Sequence, residues 1–113
     1  MSNFTITKIE RDNYERTTTR IYEFDDGDVY RYHYNYHGNT SIVNTETLFV
    51  NNRFHERVCF DEKGRMIMIE FEDFYQIFIY EDDYDEINEA HVFTYSDDIL
   101  IEECHYGVEI KVA

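Results

Sequence analysis

The strictest pattern in the chain runs from Val29 to Tyr36, where Tyr30, Tyr32, Tyr34 and Tyr36 alternate with Arg31, His33 and Asn35. A period of two marks an extended strand, whose successive side chains project to opposite faces. The preceding stretch, Thr17 to Phe24, is rich in β-branched and aromatic residues, and Asp25-Asp-Gly-Asp28 between the two supplies turn chemistry. Together they predict a hairpin with an Asp-Gly turn.

The design recurs along the chain. Arg53 to Phe60 leads through Asp61-Glu-Lys-Gly64 into Arg65 to Phe71, and Glu72-Asp-Phe74 turns into Tyr75 to Tyr80. His91 to Tyr95, Ser96-Asp-Asp98 and Ile99 to Cys104 make a further unit, and Tyr106-Gly107 leads to a closing strand over Val108 to Val112. Thr47 to Val50 adds one more strand, and Phe4 to Ile9 opens the sheet. Proline is absent. Only Asp82 to Ala90 lacks strand character; it reads as an acidic loop or one helical turn capped by Asp83 or Asp85. The fold expected is a single all-β domain over residues 1–113. It is an antiparallel meander of about eight to ten short strands, rolled into a barrel or folded into a two-layer sandwich. A short helix near 83–90 is allowed, with α+β as the alternative class. Met66 to Phe71 and Gln76 to Tyr80 are nearly all apolar and belong at the centre of the sheet.

Strand ends repeat a motif, an aromatic followed by acids: Phe24-Asp-Asp, Phe60-Asp-Glu, Tyr80-Glu-Asp and Tyr95-Ser-Asp. Phe60-Asp-Glu-Lys-Gly-Arg65 resembles one unit of the tyrosine–aspartate repeats of large secreted shell proteins. The spacing between units is too irregular for a solenoid or a propeller, and recurring hairpin chemistry accounts for it.

Charge constrains function more than fold. Residues 1–65 hold eleven acids against nine bases, whereas residues 66–110 hold fourteen acids and no base; the whole chain of 113 residues carries −15. Such a balance excludes anions and attracts basic partners. Nucleic acid and anionic membranes are disfavoured as direct ligands, because both require Lys and Arg. With 42% hydrophobic and 18% aromatic residues the chain is too rich to be a disordered acidic tail. The N-terminus lacks a basic start and an apolar run, and Cys59 and Cys104 lack CxxC spacing, so a cytoplasmic protein with reduced, buried thiols is expected.

Acids two apart on a strand share a face about 6.6 Å apart, as at Glu70 and Glu72, Glu81 and Asp83, or Asp83 and Asp85. A row of this kind is comparable to the charge array of a nucleic-acid backbone. The candidate partner-binding residues are Glu81, Asp82, Asp83, Asp85, Glu86 and Glu89, extended by Asp97, Asp98, Glu102 and Glu103. The tyrosine ladder reads as a half-buried core face with hydroxyls at its rim, or as a protein-binding platform. No histidine or cysteine spacing suits zinc, and an EF-hand read from Asp83 lacks its Gly and its final Glu. No catalytic residue, cofactor or metal is assigned.

The expected function is therefore an interaction. An acidic surface would occupy the basic cleft of a DNA- or RNA-binding protein. In size and charge the chain resembles small acidic inhibitors, phage-encoded anti-restriction and anti-CRISPR proteins among them. The alternatives are an immunity protein that neutralises a basic toxin or nuclease, and a small ligand-binding or enzymatic β-barrel.

Overall fold

A computed structural model describes residues 3–80, 90–105 and 108–111. Ten strands follow in order: β1 Phe4–Arg11, β2 Thr17–Phe24, β3 Val29–Tyr36, β4 Val43–Val50, β5 Arg53–Phe60, β6 Met66–Phe71, β7 Tyr75–Tyr80, β8 Ala90–Ser96, β9 Ile99–His105 and β10 Val108–Lys111. All belong to one antiparallel sheet whose spatial order is the order of the chain. The expected meander is present. The segment expected as an acidic loop or short helix near 83–90 lies, up to Glu89, outside the described residues.

The sheet is open, where the sequence suggested closure into a barrel or a sandwich. Each strand pairs only with its neighbours in sequence, and among the described residues no ladder joins β1 to β10. The radius of gyration, 16.5 Å, exceeds the roughly 13 Å of a compact chain of this length. Closure requires a filled lumen, and among the described residues few apolar side chains are fully buried on either face. Among the described residues only Leu48, Val58 and Phe78 are buried apolar side chains, joined by Thr19, Thr47 and Thr94.

Register sorts the side chains into two faces. Tyr22 opposes Tyr30, and Arg20 opposes Tyr32. Tyr32 opposes Leu48, Tyr34 opposes Glu46, and Glu46 opposes Val58. These residues share an aromatic face, which continues through Ile69 opposite Val58 and Gln76 opposite Ile69. The opposite face carries Thr19 across from His33, then Thr47 and Arg57, and Glu70 across from Arg57.

Two kinds of turn set this register. Asn51 and Asn52 both have positive φ (52° and 66°), as do Asp97 and Asp98 (52° and 61°); this is the two-residue hairpin geometry that Asn and Asp tolerate. The other kind is a wider turn with a left-handed residue near its end, filled by Gly27 (φ 93°) and Gly64 (φ 84°), and by Glu15 (φ 64°) at the corresponding place after Asp12. Glycine enters that region without strain, and Glu15 does so at a steric cost.

Two of the wide turns carry one device. Asp12 Oδ1 accepts the backbone N–H groups of Tyr14 (2.9 Å) and Arg16 (3.0 Å), while its Oδ2 accepts from Arg16 Nε at 2.8 Å. Asp61 Oδ1 accepts the N–H groups of Lys63 and Arg65, both at 2.9 Å, and its Oδ2 accepts from Arg65 Nε at 2.7 Å. Each arginine then lies over a tyrosine ring, Arg16 at 4.7 Å from the Tyr36 centroid and Arg65 at 4.9 Å from that of Tyr80. Each tyrosine ends the strand after the turn's own and donates its hydroxyl to the first residue of the preceding strand. Tyr36 donates to Thr17 O (2.6 Å) and Tyr80 to Met66 O (2.7 Å). The two constellations form an internal structural repeat that locks β2–β3 and β6–β7 at matching corners.

Candidate functional site

The tyrosine ladder does not disappear into a core. Tyr30, Tyr32 and Tyr34 are half-buried and, with Phe4, Tyr22, Phe24 and Glu46, line a groove of about 440 Å³. The sheet builds it by register. Phe4 of β1 lies beside Tyr22 and Phe24 of β2, with ring centroids 5.3 and 5.7 Å apart. Phe24 and Tyr22 in turn meet Tyr30 (4.8 Å) and Tyr32 (5.8 Å) of β3, and Tyr32 stacks on Tyr34 at 6.3 Å. Edge-to-face and offset packing of this kind adds to simple area burial and lines the rings up along one trough.

The trough ends on a carboxylate. Burial pushes Glu46 above the ordinary carboxylate range and the nearby Glu56 adds to this, while a hydrogen bond from Tyr34 opposes it. Burial pushes the Tyr34 hydroxyl up to about 12, with Glu46 adding and Arg20 opposing. Tyr32 is raised by burial first and then by Glu46. Arg20 borders the trough behind Tyr22, donating from Nη1 to the Tyr22 hydroxyl at 3.3 Å.

Of the residues proposed from charge, those that are described sit away from the trough. Glu81, Asp82, Asp83, Asp85, Glu86 and Glu89 lie outside the described residues. Asp97 and Asp98 form the β8–β9 turn, where Tyr75 donates its hydroxyl to Asp98 Oδ1 at 3.0 Å. Glu102 opposes Thr94 and Glu103 opposes Phe93, so these neighbours on one strand project to opposite faces. Glu103 is bound to a base, His105 Nε2, at 3.1 Å. Glu70 pairs with Arg57 at 3.4 Å across the β5–β6 ladder.

Two constellations were missed in the sequence. The Asp-x-x-x-Arg spacing of Asp12–Arg16 and Asp61–Arg65 is written twice in the chain, but spacing alone does not disclose the bonds it makes. The other is His91 hydrogen-bonded through Nδ1 to Nδ1 of His105, which only the β8–β9 register brings together. Among the described residues no group of three or more His, Cys, Asp or Glu side chains is placed to hold a metal ion. Cys59 and Cys104 are both free and half-buried rather than fully buried, and burial raises the Cys59 thiol. No helix among the described residues is long and apolar enough to cross a membrane. Comparison with protein-family models, with curated proteins and with solved structures finds no match for this chain.

Proposed function

We propose that the chain is an inhibitory interaction domain whose acidic half occupies the basic cleft of a nucleic-acid-binding protein. The observation that carries this reading is the charge division, fourteen acids and no base over residues 66–110 against near balance over residues 1–65, combined with the strand order. Because the sheet is laid down in chain order, the division along the sequence becomes, for the described strands, a division across the sheet, near neutral over β1 to β5 and negative from β6 onward. A one-sided field of this kind steers a basic partner to one flank and speeds association.

The test is capture on the immobilised protein at low and high salt, followed by competition with duplex DNA or RNA. The reading expects a nucleic-acid-handling protein that is released by salt and displaced by nucleic acid. Replacing Asp82, Asp83 and Asp85 with Asn and Glu86 with Gln is expected to weaken that capture at least ~10-fold, and the loss shrinks as salt rises. Capture that survives the quadruple substitution overturns the reading.

A further inference from the structure

We propose that the aromatic trough is a second binding site and that it takes the guanidinium of an arginine presented by a partner polypeptide. Three observations carry this. The trough is a groove of about 440 Å³ lined by six aromatic rings. That volume falls in the range of small-ligand sites.

The end of the trough is negative. Glu46 and the nearby Glu56 both belong to the aromatic face. Glu56 contacts His55 Nδ1 at 3.2 Å, whereas no ion pair engages Glu46 among the described residues. A half-buried carboxylate that meets another carboxylate and a tyrosine hydroxyl, and no base, is stabilised by a cation brought from outside. Arg20 is the positive group on this face beside Tyr34, and it stands as one guanidinium against two carboxylates.

The chain itself shows which cation such a surface suits. Arg16 and Arg65 each rest over a tyrosine ring while engaging a carboxylate. Arg57 likewise lies over Phe54 at 5.6 Å while pairing with Glu70 at 3.4 Å. Ring plus carboxylate is thus the environment in which this fold repeatedly houses guanidinium groups, and the trough offers both. A planar guanidinium stacks on a ring and forks a carboxylate at once; a compact ammonium does not.

The site is separate from the acidic half. Its lining comes from β1 to β4, where the chain is near neutral, so it does not depend on the function proposed above.

Three nine-residue Gly/Ser peptides serve as probes, differing only in a central Arg, Lys or citrulline. Binding is followed by amide and tyrosine-ring NMR shifts in about 0.5 M salt, where diffuse attraction is screened to a few Å. The Arg peptide is expected to shift Tyr22, Tyr32, Tyr34 and Glu46. It is expected to bind at least ~10-fold more tightly than the citrulline peptide and several-fold more tightly than the Lys peptide. Glu46→Gln, which removes a charge whose burial is unfavourable and leaves the fold intact, is expected to abolish the Arg-over-citrulline preference. The quadruple Asp/Glu substitution within residues 82–86 leaves it unchanged. Equal binding of Arg and citrulline, or shifts confined to residues outside the trough, overturns the proposal; so does a Glu46→Gln protein that keeps full preference.

Discussion

Asp61 organises a corner of the sheet with one carboxylate, accepting two backbone N–H groups and the Arg65 guanidinium. Hydrogen bonds to a charged acceptor are worth about 1.5–3 kcal/mol, and donors left without partners add to the loss. Asp61→Ala is accordingly expected to destabilise the protein by about 2–3 kcal/mol at neutral pH, measured by urea unfolding. The pH dependence has a definite sign. Burial alone would raise Asp61, but the backbone and side-chain bonds from Arg65 and the Lys63 N–H outweigh it and hold the carboxyl below its ordinary value of 3.8. A depressed folded value means that the contribution is complete above the unfolded pKa and is lost as pH falls through the folded one. The gap between wild type and Asp61→Ala therefore narrows only below about pH 4; a gap that stays constant into strong acid would contradict the clamp. At this scale the sequence was half legible. Phe60-Asp-Glu-Lys-Gly-Arg65 was recognisable as a turn, but its side-chain bonds were not, because a carboxylate two and four residues from its donors is a loop geometry with no periodicity to expose it.

Elements were read more fully than their packing. Alternation and turn residues located the strands, and the bounds of β2, β3, β5 and β7 fall where the pattern placed them. The other strands differ by one or two residues at an end, and β4 departs most, beginning at Val43 rather than Thr47. Its first half, Val43-Asn-Thr-Glu46, alternates β-branched residues with polar ones and has no aromatic, a weaker strand signal than that of its neighbours; pairing to β3 and β5 makes it one. That hidden half contains Glu46, so the trough's carboxylate could not be placed beside the tyrosines from sequence. The burial gradient across elements carries its own expectation. β1 is exposed at every position, with Ile6 at 47%, whereas Leu48 of β4 is buried at 8%. Leu48→Ala is expected to cost about 2–4 kcal/mol and Ile6→Ala under about 1 kcal/mol. Amide exchange is expected to be slowest in β4 and β5 and fastest in β1; comparable losses at the two sites would contradict an edge strand of this kind.

At the scale of the whole molecule, charge and openness act together. A net charge of −15 spread over an open sheet is self-repulsive, and added salt screens that repulsion. The urea midpoint is expected to rise between low ionic strength and about 0.5 M sodium chloride, apart from any effect of the Asp–Arg clamps, which are short-range and partly shielded. A midpoint that falls with salt would mean that attractive pairs, not repulsion, dominate the field. Closure into a barrel was the part of the architecture that the sequence did not disclose. Strand count and alternation are the same for a rolled and an open meander, so neither distinguishes the two.

The identity of strand order and chain order also bears on how such a protein changes length over time. In a sheet with crossovers, an inserted segment must be threaded between partners that are remote in sequence, and a deletion leaves two strangers facing each other. Here every ladder joins consecutive strands, so a hairpin gained or lost at either border alters one seam and leaves the others in register. The paired corners at Asp12–Arg16 and Asp61–Arg65 fit that logic, since each travels with its own two strands. The molecule is in this sense written hairpin by hairpin, and it can be edited in the same units.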